Sequence, residues 1–174
     1  MRSRLLVPVF ALTLIGVVTS CEEDISGIDE GFDQTATWSA NLNAANEVLT
    51  PPVNSPATGR AWFTDNGNTI TFYVEYNGLV APSTAAHIHR GAAGVNGAIM
   101  VDLLPSPTGQ RSGIWAGTIN MTLADISSET GTQPPSELRT LLDDGDAYVN
   151  IHSSGTATPP GYPGGEIRGQ LIRR

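Results

Sequence analysis

The chain is 174 residues long, with 19 Gly, 12 Pro, a single Cys and no Lys. Hydrophobic residues make up 40% and charged residues 15%, which excludes a disordered acidic tail and a multi-span membrane protein and suits one domain of ordinary size. Acidic residues outnumber basic ones 17 to 9, and a Lys-free chain of net charge −8 lacks the basic stripe that nucleic-acid phosphates require.

The first element is an address. Arg2 and Arg4 precede an apolar run from Leu5 to Val18, too short for a helix that crosses a hydrocarbon core but suited to a signal-peptide h-region. The run ends in Val18-Thr19-Ser20-Cys21, which resembles the bacterial lipobox: an aliphatic residue, two small ones, then the lipid-modified Cys. That resemblance implies a lipoprotein signal peptide over 1–20, cleavage before Cys21, and diacylglyceryl and fatty acyl (palmitate) chains on Cys21. The other reading is an ordinary secretory signal with an incidental Cys. Cleavage would leave 17 acidic against 7 basic residues, a charge of −10, and no Cys for a disulfide. Several acyl chains anchor stably, since each buried methylene contributes about 0.8 kcal/mol. The expected partner is thus a membrane, held without being spanned, in the bacterial cell envelope. Residues 21–35 read as a flexible acidic tether. Acidic residues after the Cys also resemble surface-export signals of some Gram-negative lipoproteins, so periplasmic and outer-membrane-surface destinations both stand.

From residue 36 the period is two. A strand is expected near 36–43. Ile70, Phe72, Val74 and Tyr76 alternate with polar neighbours, and Asp65-Asn66-Gly67-Asn68 has the chemistry of a tight turn, which predicts a hairpin over 58–77. Further strands are expected near 85–90, 97–103, 112–121, 146–153 and 165–172. One helix is expected, with Pro134-Pro135 at its start, a stripe of Leu138, Leu141 and Leu142, and Gly145 as terminator. The fold class is therefore all-β: an antiparallel Greek-key or immunoglobulin-like sandwich or barrel with one short helix, over 36–174.

All three histidines fall in strand-like segments, Ala86-His87-Ile88-His89-Arg90-Gly91 and Tyr148-Val149-Asn150-Ile151-His152. Residues two apart in a strand share a face. His87 and His89 therefore point one way and Ile88 to the core, while His152 sides with Asn150 and Tyr148. Were the two strands neighbours, three imidazoles would converge on one polar surface. Two readings follow: a cluster whose hydrogen bonds fix the strands, or a copper or zinc site of neutral imidazoles.

In Gly164-Gly165-Glu166-Ile167-Arg168-Gly169-Gln170-Leu171, Glu166, Arg168 and Gln170 share a face. Glu166 is read either as a fourth ligand or as half of a charge pair with Arg168, and Arg168 alternatively as an anion contact. Gly91 to Gly97 is turn-rich but has no Lys and opens no helix, against a phosphate loop. Asp143-Asp144-Gly145-Asp146 does not match an EF-hand loop and reads as solvated charge. No Gly-x-Ser-x-Gly elbow and no cysteine nucleophile assemble a hydrolase.

Asn46-Glu47-Val48 with Pro51-Pro52-Val53, then Ala57-Thr58-Gly59, the AHIH segment 86–89, YVNIH 148–152 and GGEIRGQL 164–171, in that order, resemble the CHRD domain, first named from chordin. The resemblance spans about residues 36–172. It implies an all-β immunoglobulin-like or Greek-key module and maps the family's motif histidines onto His87, His89 and His152, without implying a ligand for them. The His-x-His strand is also similar to one copper-binding strand of copper/zinc superoxide dismutases, but three histidines fall short of a copper–zinc pair.

The leading expectation is a lipid-anchored, extracytoplasmic, non-enzymatic module for binding a protein or small ligand, or a structural envelope protein, with His87, His89, His152, Asn150, Glu166 and Arg168 as its special surface. The alternative is a copper- or zinc-binding protein using the three histidines, with superoxide-dismutase-like chemistry as its further form.

Overall fold

The computed structural model describes residues 34–104, 109–123, 126–128 and 131–174. The signal segment 1–20, Cys21 and most of the tether lie outside the described residues. Eleven strands and one α-helix are formed among the described residues: β1 (Trp38–Asn43), β2 (Thr58–Asp65), β3 (Thr69–Asn77), β4 (Ser83–Arg90), β5 (Ile99–Asp102), β6 (Gly113–Asn120), β7 (Ile126–Ser128), β8 (Gly131–Gln133), α1 (Pro135–Asp144), β9 (Ala147–Ser153), β10 (Ile167–Gln170) and β11 (Ile172–Arg173).

Nine strands make one antiparallel sheet in the order β5-β4-β9-β10-β1-β2-β3-β6, with β11 on β1. The sheet is a half-barrel and the fold is all-β with one short helix, as expected; its strands form one curved sheet. The 58–77 hairpin forms in full register from Thr58↔Asn77 to Asp65↔Ile70. Its turn uses Gly67 at φ 81°, a conformation that costs glycine little, and Asp65 Oδ1 accepts from the Gly67 amide at 2.8 Å. The pair β7–β8, not anticipated, is too short and too polar to show a period.

The concave face holds the core. Trp38, Leu42, Phe63, Phe72, Val74, Trp115, Ile88, Val149, Ile151 and Ile167 alternate inward along their strands and are buried with Leu138 and Leu142 of α1. Helix α1 runs from its Pro135 start to Gly145, which takes the left-handed conformation (φ 74°) while its amide reaches the Leu142 carbonyl. Asp143 leaves the acidic run to accept from the Trp38 indole at 3.1 Å and to pair with Arg173 at 2.5 Å, so that carboxylate is engaged in packing the helix on β1 and β11.

The topology matters most at β4, β9 and β10. The crossover from β3 to β4 and the later insertion of β9 between β4 and β10 bring segments 83–90, 147–153 and 167–170 side by side. Register then aligns Ile88 with Val149 and Ile151 with Ile167 on the core side, and His87 with Asn150 and Asn150 with Arg168 on the other.

Candidate functional site

Alternation does put His87, His89, Tyr148, Asn150, His152 and Arg168 on one face. That face, however, is not an open surface. His87 is 5% exposed, His89 8% and Arg168 1%, and only His152 is half-buried. The expectation of a solvated polar patch is corrected for a physical reason: three loops fold over the convex side of β4, β9 and β10, and their polar backbone is satisfied there by strand side chains.

The loop between β4 and β5 is pinned by Arg168. Its guanidinium lies 3.3 Å from the centroid of the Tyr148 ring and donates to the carbonyls of Ala92 (3.1 Å) and Val95 (2.9 Å) and to Asn96 Oδ1 (3.2 Å). The Tyr148 hydroxyl accepts from the Gly97 amide, and Gln170 donates to the Gly91 carbonyl. A Cβ on Gly97 would sit 1.7 Å from the Arg90 carbonyl oxygen, so only glycine allows this loop to return against the end of β4. The loop after β1 is held by Asn46, which donates to the Arg168 carbonyl, and by Glu47, whose carboxylate accepts from Asn150 Nδ2 at 3.0 Å. Burial pushes the Glu47 carboxyl up to about 7, against the lowering effects of Arg168 and of hydrogen bonds from Asn150 and the Val48 backbone.

Glu166 does not join the histidines, nor does it pair with Arg168. Fully buried, it accepts from Ser55 Oγ (2.5 Å), the Val80 amide (2.6 Å) and Ser153 Oγ, which ties the loop after β1 and the turn before β4 to β9. Its carboxylate is consumed by structure. The carboxylate near Arg168 is that of Glu47, which the sequence placed in the family resemblance but not on the special surface.

The three imidazoles do converge. Ring centroids are 4.7 Å apart for His87 and His152, 5.6 Å for His87 and His89, and 5.9 Å for His89 and His152, and one nitrogen from each ring lies within 4.8 Å of the other two. His152 opposes Ala85, whose small side chain leaves its ring free to lean across to His87.

Backbone acceptors fix most of the protons. His152 Nδ1 donates to the Pro163 carbonyl at 2.9 Å and His89 Nδ1 to the Gly97 carbonyl at 3.0 Å, so both rings present Nε2 as a lone pair. His87 Nδ1 then donates to His152 Nε2 at 3.0 Å, and His87 Nε2 faces Asp102 Oδ1 at 3.6 Å. Burial, reinforced by the neighbouring His152 and His89, pushes the His87 ring down to about 3; burial likewise lowers His89, which stacks on Tyr148 at 4.9 Å. His87 and His89 are therefore neutral at physiological pH, the form in which imidazole accepts hydrogen bonds or donates to a metal. Among the described residues His89 Nε2 is buried without a hydrogen-bond partner.

Asp102 could not be singled out from sequence. It is brought to His87 by β4–β5 pairing (His87↔Asp102) just before a bulge shifts the register at His89.

Compared with protein-family models, residues 38–171 match the CHRD domain. No curated protein and no solved structure matches the chain.

Proposed function

The chain belongs to the CHRD domain family, and on that premise we propose that it is a bacterial lipoprotein: a non-enzymatic, extracytoplasmic CHRD module held to a membrane through lipid on Cys21. The observation that carries the binding role is the convergence of segments 86–90, 148–152 and 166–170, far apart in sequence, on three adjacent strands. Their polar side chains form one organised layer under loops, and loops placed by a rigid sheet are where recognition is most readily built. The partner is a protein or small ligand met outside the cytoplasm.

The anchor reading draws on Arg2 and Arg4, the apolar run and Val18-Thr19-Ser20-Cys21. Fully extended, the segment between Cys21 and Trp38 reaches at most ~60 Å, enough to hold the domain clear of a headgroup layer. No helix among the described residues is long and apolar enough to cross a membrane.

Expression of the full chain in a bacterial host tests this. The expected mature protein begins at Cys21, carries the mass of its lipids and partitions into detergent, while Cys21→Ser moves to the aqueous phase. A Cys21→Ser chain that stays with membranes, or a native chain processed elsewhere, contradicts the proposal.

A further inference from the structure

We propose that His87, His89 and His152 form a binding site for one divalent late transition-metal ion, Zn(II) or Cu(II), with His87 Nδ1, His89 Nε2 and His152 Nε2 as ligands and Asp102 as the outer partner of His87. This goes beyond the anchored-module reading and does not depend on it.

Three observations converge on these atoms. The first is distance. Donor atoms bonded at about 2.0–2.1 Å to a tetrahedral ion stand about 3.4 Å apart. His87 Nδ1 and His152 Nε2 are already at 3.0 Å, and one nitrogen from each of the three rings lies within 4.8 Å of the other two, so ring movements of about an ångström close the set.

The second is the far side of each ring. Metal-bound histidines give their other N–H to a carbonyl or carboxylate, which fixes the ring and raises its basicity. Here the Gly97 carbonyl serves His89, the Pro163 carbonyl serves His152, and Asp102 lies at His87 Nε2. Each ring thus has an outer partner and an inward nitrogen.

The third is the unused lone pair. His89 is more than nine-tenths buried and its Nε2 meets no donor, an arrangement that costs free energy in a cluster serving structure alone. A metal ion supplies what that lone pair lacks. Imidazole nitrogen suits zinc and copper, and three such ligands leave a fourth position for water or an exogenous group.

Binding requires one rearrangement, and it balances. The hydrogen bond from His87 Nδ1 to His152 Nε2 breaks, the ion takes both lone pairs, and the His87 proton moves by way of solvent from Nδ1 to Nε2, facing Asp102. His87 stays neutral and no net proton is released.

The test uses the full chain in detergent, stripped with chelator, loaded separately with ZnCl2 and CuSO4, and desalted before elemental analysis and calorimetric titration. One equivalent of either metal is expected, with copper held more tightly in keeping with the Irving–Williams order. His152→Ala, at the half-buried position, should weaken retention at least a hundredfold. Asp102→Asn, which keeps the ligands and the shape, should weaken it ten- to a hundredfold with unchanged circular dichroism. Failure of the wild-type chain to retain either metal, or undiminished retention by His152→Ala, overturns the site. Neither result touches the Cys21 experiment.

Discussion

The two faces of β4, β9 and β10 are both buried, but by different physics. On the concave side Ile88, Val149, Ile151 and Ile167 are each 0% exposed and touch other apolar side chains, so their contribution scales with area removed from water. On the convex side His87, His89, Asn150 and Arg168 are nearly as well covered, but their hydrogen bonds run to named polar atoms: His89 and Arg168 to loop carbonyls, Asn150 to the Glu47 carboxylate and His87 to His152. Apolar burial tolerates small shifts of a neighbour. A directed polar layer does not, because a buried group deprived of its partner keeps the full cost of leaving water. The concave face therefore supplies stability, and the convex face supplies position.

That contrast can be broken from either side. Ile151→Ala on the concave face should cost the most, about 4 kcal/mol, read as a large fall in the denaturant midpoint with the slope unchanged. Arg168→Met removes the cation over Tyr148 and strands the Ala92 and Val95 carbonyls. We expect a loss of about 3 kcal/mol, with amide exchange accelerated in residues 91–97 beyond any change in the core. Equal acceleration throughout the domain would show that Arg168 acts on the whole fold and not on that loop. Gly97→Ala should cost about 2 kcal/mol, since its Cβ collides with the Arg90 carbonyl, and should displace the carbonyl that holds His89, visible as a shifted His89 ring resonance while the Ile88 and Val149 methyl signals stay in place.

The smallest effect sharpens the comparison through pH. The Glu47 carboxyl is raised in the fold from 4.5 to about 7, so folding favours its neutral form. Its stabilising contribution is complete below about pH 4.5 and is lost as pH rises through about 7. Glu47→Gln removes this dependence: stability of the variant relative to wild type should climb by about 1 kcal/mol between pH 4.5 and 8, half-burial keeping the change below the full value of the shift. Parallel stability–pH curves for the two proteins would contradict the assignment.

Strand alternation carried the fold. The hairpin 58–77 was legible because apolar period and Asn-Gly turn agree, and α1 because Pro135, the leucine stripe and Gly145 agree. The three-residue strands β7 and β8 carry no such agreement. At the site, the period of two correctly grouped His87, His89 and His152, since it depends only on backbone geometry. It could not reveal what lies above them: cover comes from loops at 44–57, 91–98 and 154–165, whose approach is set by bonds to Arg168, Glu166 and His152. For the same reason Glu166 and Arg168 read as neighbours in one motif yet serve different loops. Glu47 stood in a family motif with no role and Asp102 stood alone, until tertiary structure and strand register gave them partners.

Long-range nitrogen–proton correlation of the imidazoles in metal-free protein probes the convex layer at its centre. Every ring should carry its proton on Nδ1, and after one equivalent of Zn(II) the His87 proton alone should transfer to Nε2. Protons on Nε2 of His89 or His152 before metal is added would mean that the Gly97 and Pro163 carbonyls do not orient these rings, and the inward-facing lone pairs would be lost with them.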